Sequence, residues 1–204
     1  MAAPDRHRAK GSLRDRMIRR LAKVSVSEAE AAGQSVAARL SRRRSWPDLE
    51  VIALFASLPG EVETGPVIEI CWRAGKRVLL PRVLETGGLE FATCAPGEPL
   101  VLGSFGVREP CEDAIVTPIS EADQVLVPGV AFDRRGGRLG RGRGYYDRAL
   151  AGLQGRTSRP LLTGVGFAFQ VVEDVPVTPL DVHLDEILTE ADWSAASRPS
   201  SDCR

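Results

Sequence analysis

Between Arg134 and Gly144 the chain sets five arginines (Arg134, Arg135, Arg138, Arg141, Arg143) among five glycines (Gly136, Gly137, Gly140, Gly142, Gly144). Glycine lets the backbone adopt conformations in which successive N–H groups converge on a small anion. Guanidinium groups stay charged and present a planar fork of donors that suits phosphate oxygens. The stretch reads as a cradle for a polyphosphate. It is not a Walker A loop, because no Gly-Lys-Ser/Thr closes it, and it lacks the Gly-x-Gly-x-x-Gly spacing of dinucleotide folds. Two plainer readings stay open beside it: a flexible solvated loop, and an Arg/Gly segment that binds RNA. RNA-binding tracts of this kind are usually repeated and flanked by disorder. This one is single and lies between a strand-like and a helix-like run.

Other charged and aromatic residues have plain readings of their own. Lys10 and Arg14 lie four apart and project from one helix face, although such pairs are usually solvated. Glu61 lies in a loop beyond the end of a strand, where open α/β sheets bind ligands, and on its own reads as an exposed loop acid. Asp147 follows the cradle in the first turn of a helix, where the dipole favours an acid. Asp181 sits in a turn after Pro179, and Tyr145 and Tyr146 suit either a core or a pocket wall. Groups for covalent catalysis are scarce. With only His7 and His183, no Ser-His-Asp or Cys-His arrangement is supported, and His183 reads as satisfied or exposed. Cys71, Cys94, Cys111 and Cys203 show neither a C-x-x-C pair nor metal spacing, so they read as reduced thiols.

The elements that must position these residues follow from hydrophobic period and punctuation. Residues 8–23 read as a helix with Leu13, Met17, Ile18 and Leu21 on one stripe. A second helix starts at a capping box, Ser25 with Glu28 or Ser27 with Glu30, and ends near Arg44, with Arg42, Arg43 and Arg44 as a solvated end. Val51 to Phe55 is a buried strand, and a third helix from Pro66 to Ala74 is capped by Thr64 and stopped by Gly75. Strands follow at Arg77 to Arg82 and Leu89 to Cys94, then a proline-rich wrapping segment from Ala95 to Ser120 that carries no evident chemistry. Val125 to Phe132 reads as one buried strand entering the cradle, Tyr145 to about Leu153 as a helix, and Leu161 to Phe167 as a strand.

Composition bounds the function. The 204 residues suit one domain with a full core, and 43% hydrophobic with 26% charged residues is ordinary for a soluble globular protein. A net charge of +0 argues against a protein that coats nucleic acid, even though eight Lys and Arg crowd residues 1–23. No apolar run approaches membrane-spanning length and no secretory signal opens the chain, so we expect a cytoplasmic protein that meets neither membrane nor nucleic acid; an Arg-rich presequence, weakened by Asp5 and Asp15, stays the lesser alternative. We expect a flexible N-terminus over 1–7, one domain over 8–192, a disordered tail over 193–204, and a monomer or weak dimer.

Two runs carry a resemblance. Pro128-Gly129-Val130-Ala131-Phe132-Asp133 and Gly137-Arg138-Leu139-Gly140-Arg141-Gly142-Arg143-Gly144-Tyr145-Tyr146-Asp147 closely resemble the signature of the 5-formyltetrahydrofolate cyclo-ligases, also called methenyltetrahydrofolate synthetases. Asp181 to Glu190 resembles the family's C-terminal motif, and Glu61-Val62-Glu63-Thr64 its folate loop. The resemblance implies a single α/β domain with a mostly parallel central sheet flanked by helices, similar to the ribose-phosphate isomerase and CoA-transferase group. It implies ATP- and Mg²⁺-dependent closure of 5-formyltetrahydrofolate to 5,10-methenyltetrahydrofolate, with ADP and phosphate released. ATP phosphorylates the formyl oxygen and N10 closes the ring, so the protein supplies no nucleophile. Carried over by position, Lys10, Arg14 and the run Arg138, Leu139, Gly140, Arg141, Gly142, Arg143, Gly144, Tyr145 and Tyr146 bind ATP. Ala56, Glu61, Arg141, Gly142, Arg143, Gly144 and Tyr145 meet the folate, Asp147 and Asp181 hold the metal, and Arg138 and Arg143 act in catalysis. The chain departs from the family pattern at Arg143, where Lys is usual, and at Phe55-Ala56. The competing class is a non-catalytic RNA-binding or regulatory protein.

Overall fold

The computed structural model describes residues 3–103, 106–153, 156 and 158–197. Its central sheet has strand order β12-β11-β9-β6-β1-β2-β3. In chain order these are β1 (Val51–Ala53), β2 (Arg77–Val83), β3 (Leu89–Thr93), β6 (Gln124–Pro128), β9 (Leu161–Val165), β11 (Glu186–Leu188) and β12 (Trp193–Ala195). The strands β11, β9, β6, β1 and β2 run parallel, and antiparallel partners β12 and β3 close the two edges. The mostly parallel sheet expected from the sequence is present.

Period-2 alternation divides the core between two faces. Ile52, Leu54, Val78, Leu80 and Leu126 pack on one side with α1 (Ala3–Leu21), α2 (Val26–Ser41) and α3 (Gly65–Arg73). Val51, Ala53, Leu79, Val125 and Val127 pack on the other with α4 (Tyr145–Ala151). Because both faces are covered, the strands read as unbroken apolar runs. No helix among the described residues is long and apolar enough to cross a membrane.

The structure corrects several sequence expectations. The first helix begins at Ala3 rather than residue 8, and Trp193–Ala195 forms an edge strand where a tail was expected to start; residues 198–204 lie outside the described residues. The capping box is the Ser25–Glu28 pair, with Ser25 N–H donating to Glu28 Oε2 (2.8 Å) and Glu28 N–H to Ser25 Oγ (3.2 Å). The helix it opens stops at Ser41, and Arg43 is not solvated but paired with the buried Glu186. Thr64 stands at the N-cap of α3 as expected, but its side chain makes no capping bond; its hydroxyl donates to Phe55 O (2.6 Å) and ties the end of the first strand to the loop.

The run Val125 to Phe132 is two strands, not one. It breaks at Pro128-Gly129, after which β7 (Ala131–Asp133) joins a small separate sheet with β8 (Arg138–Leu139) and β10 (Val171–Val172). Gly129 permits this turn because a Cβ there would lie 2.7 Å from the Phe132 ring. The wrapping segment contains a short hairpin of β4 (Leu100–Leu102) and β5 (Arg108–Pro110).

Candidate functional site

A cavity of about 480 Å³ opens beyond the carboxyl ends of β1 and β6, the usual place for ligands in open parallel sheets. The Arg/Gly loop forms one wall through Arg138, Gly140, Arg141, Arg143 and Gly144, continued by Tyr145, Tyr146 and Asp147. The loop after β1 forms another through Phe55, Ala56, Leu58 and Glu61. Pro81, Val83, Leu89, Val107 and Glu109 complete an apolar side with a single acid.

Local structure holds each wall. The buried Asp133 carboxylate accepts from Arg135 N–H (2.8 Å), Gly137 N–H (3.0 Å) and Val175 N–H (2.8 Å), fixing the entry to the Arg/Gly loop. Gly142 and Gly144 take φ of +106° and +66°, where a side chain would be strained, and Gly144 starts α4. Arg148 secures the far end, donating to Arg143 O (2.9 Å) and Gly87 O (2.7 Å). The opposite loop rests on α2. Glu63 N–H donates to Ala29 O (3.1 Å), and a Cβ at Gly33 would lie 2.0 Å from Glu63 O, so only glycine allows this approach.

Three of the candidate cations are paired with candidate acids. Arg141 donates to Glu61 Oε1 through Nε (3.1 Å) and a terminal nitrogen (2.9 Å), while Leu58 N–H takes Oε2 (3.1 Å). Burial pushes the Glu61 carboxyl above its ordinary value, and Arg141 offsets this only in part. Arg138 is buried, donating to Asp147 Oδ1 (2.8 Å) and Pro128 O (3.1 Å), so it positions Asp147 and faces the cavity from behind it. Lys10 pairs with Asp181 at 2.5 Å. Burial alone would raise Asp181, but Lys10 and the Thr178 N–H and hydroxyl outweigh it and hold the carboxyl below its ordinary value. Arg14, also on α1, donates to Gly140 O (3.0 Å) at the back of the cradle. Lys10, Arg14, Gly142 and Asp181 do not line the cavity, and neither does Leu139, whose side chain is core and whose carbonyl accepts from Val130 N–H (2.7 Å).

Asp147 and Asp181 fit a magnesium ion. Val182 N–H approaches Asp147 Oδ1 (3.4 Å), which brings the chain next to Asp181 to Asp147. Protein hydrogen bonds fall on Oδ1 of Asp147 and on Oδ2 of Asp181, leaving the second oxygen of each. No cluster of three or more metal-ligating side chains forms among the described residues, so an ion here would draw its other ligands from phosphate and water. Cys71 is buried and its thiol is pushed up to about 12 by burial.

Five buried side-chain polar atoms among the described residues lack a hydrogen-bond partner, and three of them, Arg138 Nε, Tyr146 Oη and Glu109 Oε1, belong to residues that line this cavity. Buried polar groups are normally satisfied, so their concentration here marks a site built for a polar ligand. Burial keeps the Tyr146 phenol protonated well above its ordinary value. The sequence reading missed Glu109 and the apolar side around it. Nothing local separates Glu109 from Glu98 or Glu112, and only the hairpin brings it to the cavity.

Comparison with known proteins agrees with this geometry. The model of the 5-formyltetrahydrofolate cyclo-ligase family matches residues 6–190. The Escherichia coli (strain K12) 5-formyltetrahydrofolate cyclo-ligase is 37% identical over 171 residues, spanning 81% of this chain and 92% of that one. The NMR structure of Aquifex aeolicus 5,10-methenyltetrahydrofolate synthetase superposes with a TM-score of 0.80 at 29% identity, covering 96% of each chain. A Mycoplasma pneumoniae 5,10-methenyltetrahydrofolate synthetase, at 23% identity and TM-score 0.69 over 89% of this chain and 98% of its own, shares the fold. With its motifs, sheet and cavity in agreement with that match, the chain belongs to the 5-formyltetrahydrofolate cyclo-ligase family.

Proposed function

We propose that the protein closes 5-formyltetrahydrofolate to 5,10-methenyltetrahydrofolate, using ATP and Mg²⁺ and releasing ADP and phosphate. The observation that carries this reading is the cavity itself, with an Arg/Gly wall suited to phosphates on one side and an apolar, acid-bearing wall suited to a heterocycle on the other. The formyl oxygen is a poor leaving group. It attacks the γ-phosphorus, and the bond from that phosphorus to the bridging oxygen breaks as ADP leaves. N10 then attacks the formyl carbon and loses its proton, and the C–O bond breaks with departure of phosphate. The folate brings its own nucleophile, which accounts for a site without one.

The protein's task is to hold two substrates in line and to spread charge on the phosphoryl group. Arg143 and Arg141 face the phosphates with the backbone N–H groups of Gly140 to Gly144, and Lys10 and Arg14 approach from α1. Tyr145, Ala56 and Glu61 meet the folate. Arg138 holds Asp147 in place, and with Asp181 that residue would hold Mg²⁺, which when bound neutralises phosphate charge.

The test follows the near-ultraviolet absorbance of the methenyl product. We expect the product only when ATP, Mg²⁺ and 5-formyltetrahydrofolate are all present. Turnover without ATP, or none with all three, would overturn the reading.

A further inference from the structure

Glu109 is the one acid of the cavity that the reaction above does not use. It stands on β5 and is 5% exposed, yet its carboxylate lines the cavity beside Pro81, Val83 and Leu89. Its Oε1 has no hydrogen-bond partner among the described residues. The backbone presses on it from behind, since a Cβ at Gly103 would lie 2.2 Å from Oε2. Burial raises the Glu109 carboxyl, and Val83 N–H and the charge of Arg82 offset this only in part; Arg82 itself donates through Nε to Glu90 Oε1 (2.8 Å) and through a terminal nitrogen to Cys111 O (2.5 Å). Glu61 differs, because Arg141 and Leu58 N–H occupy both of its oxygens. A buried acceptor without a donor costs free energy, and a ligand that brings the donor recovers it.

We propose that Glu109 is a specificity residue of the folate pocket, its Oε1 accepting from ring N–H donors of the reduced pterin on an edge that Glu61 does not meet. The inference rests on the folate reading above. Val83, Leu89, Val107 and Pro81 surround the acid with apolar side chains, which suits the faces of a flat bicyclic ring. A reduced pterin carries amino and ring N–H donors on more than one side, so two acids can serve it without competing. The phosphate-facing arginines lie on the opposite wall, which places the nucleotide away from Glu109.

Calorimetry on the wild-type protein, Glu109→Gln and Glu109→Asp tests this, titrating 5-formyltetrahydrofolate, 5-formyltetrahydropterin without its benzoylglutamate arm, and ATP in separate runs. Glutamine keeps the shape that fits under Gly103 and removes the charge, while aspartate keeps the charge and withdraws it by one methylene. We expect both variants to bind folate and the pterin fragment about tenfold more weakly, the factor for loss of one charge-assisted hydrogen bond. ATP affinity should stay unchanged, and melting of the glutamine variant should be unchanged or higher, because a charge that burial disfavours is gone. Unchanged folate affinity in both variants would overturn the assignment. So would an equal loss for ATP, or a lowered melting temperature with both substrates weakened, which marks a structural role. Failure of the wild-type protein to bind either folate ligand would instead strike the cyclo-ligase reading, and this proposal with it.

Discussion

The same chemical pair, an arginine on a glutamate, stands at two ends of the sheet and does different work. Toward the amino ends of the parallel strands Arg43 meets Glu186 through two hydrogen bonds (2.5 and 3.0 Å), with side chains only 10% and 5% exposed. Thr163 Oγ (2.7 Å) and Gln124 Nε2 (3.2 Å) also donate to Glu186 Oε1, and the Arg43 guanidinium lies 4.0 Å from the Trp193 ring centre. Beyond the carboxyl ends Arg141 meets Glu61, but here the arginine is 40% exposed and the acid 11%. Where both partners are buried, neither can leave without stranding a charge. Where only the acid is buried, water and ligand phosphates can take the arginine away. Burial of the second partner separates a clamp from a switchable contact.

The largest effect should come from breaking the clamp. Arg43→Ala leaves Glu186 buried without its cation, and loss of one partner of a buried pair costs about 3–5 kcal/mol. Arg141→Ala removes a half-exposed partner and should cost less than about 1 kcal/mol. Urea unfolding of the two variants gives the comparison directly through the midpoint at unchanged slope. Equal losses would show that exposure of the arginine does not distinguish the two ends.

The two regions also differ in how far they could be read from the chain alone. The Arg/Gly loop was legible because its chemistry is local: rare residues at close spacing have few uses. Val51 to Ala53 and Val78 to Leu80 were legible for a similar reason, since strands covered on both faces leave continuous apolar runs. The clamp was not. Arg42, Arg43 and Arg44 look like a solvated helix end, and the partner of Arg43 lies 143 residues away across the sheet. The break at Pro128-Gly129 was hidden because apolar residues continue on both sides of it, and the Thr64 side chain looked like a cap because its bond to Phe55 depends on the loop's path. Glu109 was invisible for want of any periodic pattern around it. Contacts set by topology leave little local signal.

At the exchangeable end, Arg143 should matter most. Arg143→Ala should lose about 2.7–4 kcal/mol of transition-state stabilisation, the scale for one preorganised donor, while Arg143→Lys keeps the charge and most of the activity. Comparing kcat/KM at saturating Mg²⁺ decides it. An alanine variant equal to the wild type would leave the phosphates to Arg141, Lys10, Arg14 and the backbone, and the usual lysine at this position would be a matter of shape alone.

Glu61 should contribute somewhat less. Glu61→Gln keeps the side chain's size and removes the charge-assisted acceptor, so folate binding should weaken by about 1.5–3 kcal/mol while ATP affinity measured alone barely moves. A loss confined to ATP would mean that the two substrates occupy the opposite walls from those assigned.

The smallest effect is the most diagnostic of the comparison. In the absence of substrates Arg141 holds Glu61 through two hydrogen bonds, so folate must compete with it for that acid. Phosphates offer Arg141 a more highly charged partner, and an arginine exposed to 40% can turn to them without unfolding anything. ATP should therefore tighten folate binding, and by linkage folate should tighten ATP by the same factor. The coupling should be about 1 kcal/mol, or roughly fivefold, the lower end of what such site-to-site couplings reach. Titrating 5-formyltetrahydrofolate with and without a non-hydrolysable ATP analogue measures it, and Arg141→Gln should reduce the factor toward one. A folate affinity indifferent to the analogue in the wild-type protein would show that Arg141 stays on Glu61 throughout, and the contact at the open end would then be a clamp like the one at the closed end.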